Sequence, residues 1–306
     1  MNWIKHGLIW TPNGSSEWAK THATCPTPIH LDDGTLRIYL QSRDMRNVGR
    51  VGFIDLDPEN PTKVINSSKT PVLDIGEPGS FDDNGVFQTS VLKVPDGRLF
   101  MYYVGFELCH HIRYRLLTGL AISEDNGLTF HRHKKTPILE RSSEEQHFRC
   151  GPFVTLDKNL FRMWYVAGSD WESIDGKEMP IYDIRYMESA DGFSWPDYGR
   201  VVLPVSLAQE HGFGRPYVMQ DGNTYRMHYS IRKRNPAGYR LGFALSENGL
   251  DWIRKDSEIG IDISASKYDS DAVEYGAEIS VGGKTWFLYN GNDFGRDGLC
   301  MAERVY

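Results

Sequence analysis

The chain has 306 residues, 40% of them hydrophobic and 25% charged, with a net charge of −7. That composition belongs to a globular protein, and the negative balance excludes a general surface for nucleic acid or anionic membrane. No apolar run approaches the ~18 residues of a membrane-spanning helix, the N-terminal "MNWIKHGLIWTPNG" lacks a signal-peptide core, and the scattered Cys25, Cys109, Cys150 and Cys300 read as reduced thiols in a cytoplasmic protein and not as a zinc site.

Apolar residues come in short runs bounded by Gly, Asp, Asn and Pro, the pattern of many strands joined by tight turns. In chain order, "WIKHGLIW" from Trp3 is a strand, followed by five repeats of about 60 residues. The leading runs of the repeats are "CPTPIHL", "GVFQTSVLKV", "GPFVTL", "RPYVMQ" and "GAEISV". A hairpin signal closes each one: Asp32 to Gly34, Pro95 to Gly97, Asp157 to Asn159, Gln220 to Asn223, and Gly282 to Lys284. A second run with a tyrosine comes next, and Tyr39, Tyr103, Tyr165, Tyr229 and Tyr289 are spaced by 64, 62, 64 and 60 residues. The third runs are "GFIDL", "GLAIS", "IRYMES", "LGFALS" and "LCMAE". In repeats two to four a Ser, an acid or amide, a Gly and an aromatic follow, as in "LSENGLDWIRKD", and then a fourth strand. Recurrence makes that word the outer turn of a repeat, with Gly249 allowing the turn and Trp252 packing the outer strand.

This pattern predicts an all-β chain: one domain over 1–306, a five-bladed β-propeller with four antiparallel strands per blade. The fifth repeat stops after three strands, so the N-terminal strand is expected to close the last blade and remove an exposed edge.

In such a ring the loops entering the first strands and leaving the second strands meet at one mouth. They carry His22, Asp82, Asp83, Arg149, Arg215, Asp269, Asp271 and Glu274 on the entering side. Arg43, Asp44, Trp171, Arg232 and Asn290 lie on the leaving side. Acids, arginines, an amide and an indole suit a sugar, because carboxylates and amides take hydroxyl hydrogen bonds and aromatics stack on the apolar sugar face. Several have a plain alternative. "GSFDDNGV" also reads as a capped turn, "YDSDAVEYGAE" as a solvated loop, Arg43 and Asp44 as a structural pair, Arg215 as an anchor between blades, and His22 as a buried, hydrogen-bonded histidine. His228 alternates with core residues and reads as packing. His110 and His111 lack metal-ligand company.

The fivefold repeat and the S-x-(D/N)-G-x-x-W turns resemble the propeller glycosidase clan of glycoside hydrolase families 32, 43, 62, 68 and 130. "GSFDDNGV", "GFGRPYV", "MHYSIR" and "FLYNGNDFG" resemble a bacterial glycosidase-like group often encoded near surface-polysaccharide genes. The resemblance implies glycosidic-bond chemistry by two carboxyl groups. The usual acidic positions are altered: His22-Ala23-Thr24 and Cys150 stand where family 43 places its acids, and the family 32 "NDPNG" is missing. We therefore expect Asp83 and Asp271 as the catalytic pair. His22, Arg43, Asp44, Asp82, Arg149, Trp171, Arg215, Arg232, Asp269, Glu274 and Asn290 would hold a small glycan or activated sugar, with no metal or cofactor. Two alternatives remain open: phosphorolysis or transfer on a phosphorylated or nucleotide-linked sugar, with Arg43, Arg149, Arg215 and Arg232 on phosphate, and sugar binding without catalysis.

Overall fold

The computed structural model describes residues 1–174, 176–235 and 238–305. Its strands in chain order are β1 (Asn2–Trp10), β2 (Thr21–His30), β3 (Leu36–Arg43), β4 (Gly49–Leu56), β5 (Val64–Ser67), β6 (Val86–Lys93), β7 (Leu99–Leu108), β8 (Tyr114–Ser123), β9 (His131–Arg132) and β10 (Phe148–Asp157). They continue with β11 (Leu160–Ile174), β12 (Lys177–Ser189), β13 (Arg200–Leu203), β14 (Glu210–Asp221), β15 (Thr224–Lys233), β16 (Gly238–Ser246), β17 (Ile253–Arg254), β18 (Glu274–Val281), β19 (Lys284–Asn290) and β20 (Leu299–Val305). Among the described residues no helix is long and apolar enough to cross a membrane.

Antiparallel pairing gathers consecutive strands in fours: β2 to β5, β6 to β9, β10 to β13 and β14 to β17. In the last group β18, β19 and β20 are followed by β1, which pairs with β20 from Asn2↔Val305 to Trp10↔Leu299. Two short parallel contacts, β8 with β10 and β12 with β14, join the middle groups. The leading strands β2, β6, β10, β14 and β18 pack each against the next, and β18 against β2. They are buried along most of their length. The outermost β5, β9, β13 and β17 are only two to four residues long, which limits the unpaired edge each group exposes.

The turn words hold neighbouring groups together. Ser123, Ser189 and Ser246 each accept a hydrogen bond at Oγ from the N–H of Gly127, Gly192 and Gly249. All three glycines have positive φ, which only glycine adopts cheaply. Their carbonyls then accept from an aromatic side chain of the preceding group: Tyr39 Oη (2.9 Å), Tyr102 Oη (2.7 Å) and Trp164 Nε1 (2.8 Å). Tyr39 is thus the counterpart of Tyr102 and Trp164. The sequence alignment, which set it beside Tyr103, is one residue out of register, and one residue in a strand reverses the side-chain direction.

The other tyrosines anchor acids, three of them buried and Asp256 half-buried. Tyr103, Tyr165, Tyr229 and Tyr289 donate to Asp82, Glu145, Asp256 and Asp269. Each acid also meets a base: Arg132 at 2.8 Å, Arg149 at 2.6 Å, Arg254 at 2.7 Å and Lys5 at 2.7 Å, respectively. The four acids pin loops to the second strand of their group, and charge-assisted bonds of this kind are among the strong ones.

Candidate active site

Every leading strand carries a register irregularity where it pairs with its second strand: between Thr21 and Thr27 in β2, Gln88/Ser90 in β6, Cys150/Phe153 in β10, Gly214/Tyr217 in β14, and Glu274/Ala277 in β18. Such bulges re-aim side chains next to active sites. Five of the nine non-glycine residues with positive φ among the described residues gather at the same place. They are His22 (67°) and Cys25 (59°) on β2, Tyr275 (52°) on β18, and Asp293 (51°) and Phe294 (62°) after β19. Left-handed backbone costs about 1–3 kcal/mol per residue and clusters at functional sites. The 291–298 segment is held there by Thr24 Oγ1, which donates to the Phe294 carbonyl at 2.6 Å, and by the His22 N–H, which donates to the Arg296 carbonyl.

Rings line this convergence in an arc. Phe87 packs on Phe106, Phe106 on Tyr114, and Tyr114 on Phe148 and Trp171. Phe148 packs on Tyr182, and Tyr239 on Tyr275 and Phe294. Arg232 bridges the gap, its guanidinium 5.2 Å from the Tyr182 ring and 5.0 Å from the Tyr239 ring, and its Nε donates to Tyr239 Oη. At the other end Arg43 lies 5.8 Å from the Phe294 ring. Rings flanking a guanidinium favour its charge.

Glu274 sits between these arginines. It is 1% exposed, and its Oε2 has no hydrogen-bond partner. Burial pushes its carboxyl up to about 8, while Arg232, the Phe294 N–H and Arg43 pull the other way. It therefore carries its proton at neutral pH, as a general acid must. His22 is the reverse case. Burial, with Arg43 and Arg296, pushes it down to about 3, so it is neutral; its Nδ1 is paired with Thr21 Oγ1 at 2.8 Å. Among the described residues no group of three or more His, Cys, Asp or Glu could hold a metal ion.

Of the residues expected from sequence to hold substrate, His22, Arg43, Arg232 and Glu274 meet here, with Trp171 in the ring arc. The Trp171 Nε1 is buried without a partner. The others are occupied elsewhere. Asp82, Asp269 and Arg149 belong to the tyrosine–acid–base anchors. Arg149 also donates to the carbonyls of Glu140 and Pro196. Arg215 spends its terminal nitrogens on the carbonyls of Pro26, Thr89, Tyr275 and Gly276, tying three leading strands to its own. Asn290 accepts from the Cys25 N–H and donates to the Ala23 carbonyl, joining β19 to β2. Asp44 caps its own turn and pairs with Arg50 at 3.0 Å.

The expected catalytic pair fares differently. Asp83 is partly buried in the loop entering β6, accepting from the Gly79 N–H and from Asn84. Asp271 is exposed, with only the Ser270 hydroxyl on its carboxylate. Cys150, in the place of an acid in the resembled family, is buried and its thiol is pushed up to about 12 by that burial. Sequence reasoning missed Tyr114, Tyr182, Tyr239 and Tyr275. Tyr114 and Tyr239 were legible, since each stands at the start of the third strand of its group, but loops entering third strands were not considered.

No protein-family model matches the chain. It is 34% identical over 302 residues to the uncharacterized protein Rv1502 of Mycobacterium tuberculosis (strain ATCC 25618 / H37Rv), covering 99% of both chains. Over a shorter stretch of 133 residues it is 33% identical to a 1,2-beta-oligomannan phosphorylase of Thermoanaerobacter sp. (strain X514), 42% of this chain and 41% of that one. Among solved structures, one described as a glycoside hydrolase superposes with a TM-score of 0.77 over 99% of this chain and 91% of that one, at 20% identity. A structure from the GH130 family of mannoside phosphorylases, which contains hydrolases of beta-1,2 mannosidic linkages in Candida mannan, gives 0.70 over 96% and 90%, at 13% identity. These likenesses are of fold, and the fold is the propeller type of the glycoside hydrolases.

Proposed function

We propose that this chain, which belongs to the family of the Mycobacterium tuberculosis uncharacterized protein Rv1502, is a carbohydrate-active enzyme that cleaves or transfers a glycosidic bond. The reading takes the chain as one domain, a closed five-bladed propeller. Five groups of four strands, contacts that run from β2 around to β18 and back to β2, and β1 as the fourth strand of the last group support it. The substrate is a small glycan or activated sugar met in the cytoplasm, bound where the leading strands converge.

One observation carries the chemistry: a buried carboxyl group without a partner on Oε2, pushed up to about 8, among aromatic rings and two arginines. Glu274 protonates the leaving oxygen, the role of the raised carboxyl in glycoside hydrolysis. It replaces Asp271, whose exposed carboxylate has no such environment. Asp83, in the loop entering β6, supplies the second carboxyl. The ring arc from Phe87 to Phe294 offers faces for the sugar. A phosphorolytic variant of the same chemistry is favoured by the stretch of likeness to the oligomannan phosphorylase and is read by repeating each assay with inorganic phosphate.

The test is Glu274→Gln against a panel of oligosaccharides and aryl glycosides on which the wild type turns over. Loss of a proton donor lowers turnover by about 10²–10⁴-fold, with near-ultraviolet circular dichroism unchanged. Undiminished turnover in this variant refutes the assignment, and Asp83→Asn tests the second carboxyl in the same way.

A further inference from the structure

Several arginines among the described residues have partners for their charge. Arg37, Arg149, Arg185 and Arg254 each meet a carboxylate, at 2.8, 2.6, 2.8 and 2.6 Å. Buried Arg215 gives its terminal nitrogens to four carbonyls, while its Nε has no partner. Arg43 and Arg232 have neither. Arg43 donates only to the neutral oxygens of Gln41 (3.2 Å) and Asn47 (3.0 Å). Arg232 donates only to Tyr239 Oη. Among the described residues no carboxylate lies within ion-pair distance of either.

The surrounding groups do not supply the missing charge. Burial pushes up the hydroxyls of Tyr182, Tyr239 and Tyr275, so they stay protonated beside Arg232. Glu274 keeps its proton at neutral pH, and His22 is neutral. Burial holds His211 down, and its Nδ1 is paired with the Pro180 carbonyl. Asp293, on the 291–298 segment, has its own cation in Arg296 at 3.9 Å. Arg234 is matched to Glu172. The convergence thus holds two positive charges, partly withdrawn from water and balanced only by ring faces. A charge in such a place is costly without a partner.

We propose that Arg43 and Arg232 receive a negatively charged substituent, a carboxylate or a phosphate, carried by the sugar itself, so that the substrate is an acidic or phosphorylated sugar and not a neutral one. This rests on the reading of the site as a sugar site, but not on catalysis. The planar guanidinium of each arginine presents parallel N–H donors that match either anion. The ring arc takes the sugar face, and Glu274, being protonated, does not repel the anion as an ionised glutamate would.

The experiment measures binding, not turnover. Purified protein is titrated by calorimetry and by thermal shift with hexuronic acids and hexose phosphates, each paired with its neutral parent hexose, and with inorganic phosphate alone. At least one charged sugar is expected to bind ten-fold or more tightly than its parent, with the preference weakening as salt is raised. The uronate and phosphate arms tell which anion is read. In Arg43→Gln and Arg232→Gln the preference should vanish. Arg232→Lys, which keeps the charge and loses the fork, should restore part of it and guards against a Gln variant that fails to fold. Equal binding of charged and neutral sugars overturns the proposal, as does a preference that survives both Gln variants or an effect reproduced by inorganic phosphate alone. Charged-sugar binding without turnover would sink the enzyme reading and leave this one standing. Turnover of neutral glycans lost in Glu274→Gln would do the opposite.

Discussion

Glu274→Gln should make the folded protein more stable, and increasingly so as pH rises. In the unfolded chain this carboxyl titrates near its ordinary 4.5, whereas in the folded protein burial holds it at about 8. Between those values the unfolded state has released a proton that the native state keeps. Unfolding therefore becomes easier with each increment of pH, by about 1.4 kcal/mol per unit. Below about 4.5 both states are protonated and there is no penalty. Above about 8 both are ionised and the penalty stops growing, having reached on the order of 5 kcal/mol. Glutamine keeps the shape and cannot ionise, so it escapes the whole term. Urea unfolding of both proteins from pH 5 to 9, followed by tryptophan fluorescence, gives the difference directly. The gap should widen steadily to about pH 8 and then level off. A gap that is the same at every pH, or that narrows as pH rises, refutes the claim that this carboxyl is held neutral by burial, and with it the proton-donor role.

Three other outcomes follow from the anchors. Asp82→Asn and Asp269→Asn break buried acid–base pairs and should cost about 3–5 kcal/mol in chemical denaturation, while leaving turnover per folded molecule near wild type; a selective loss of turnover would return these acids to the active site. Arg215→Met strands four carbonyls where the leading strands meet and should cost a similar amount, on the order of 3–5 kcal/mol, so an unchanged denaturation midpoint would contradict its role as a tie. Gly127→Ala places a Cβ 1.9 Å from Tyr39 Oη at a φ of +79°, and a lowered melting temperature should follow from the strain and the lost latch, about 1–3 kcal/mol; a small rise, as for an unstrained Gly-to-Ala exchange, would refute that geometry.

The glycine and tyrosine repeats were legible because their physics is local. A turn that needs positive φ takes a glycine, and a hairpin needs its signal within a few residues. The anchors were half legible: the tyrosines recur, but their acids come from loops at unequal distances, and Asp82 and Asp269 looked like site residues because acids beside glycine look alike whether they face a ligand or a buried arginine. Asp271 and Glu274 were equally hard to tell apart. Two residues separate them, and nothing in the sequence says which is in water.

The sequence by itself determined the periodic architecture: short strands in repeated groups, the turn words that punctuate them, and the N-terminal strand that pairs into the last group. Only the tertiary structure decided which charged groups have partners. Arg149, Arg215, Arg43 and Arg232 are the same residue in the same kind of loop or strand end. Two are consumed by Glu145 and by backbone carbonyls, and two are left facing a glutamate that burial keeps neutral. Partnership and burial are sums over residues hundreds of positions apart, such as Tyr275 and Pro26 meeting on Arg215, so they exist only once the five groups have come together.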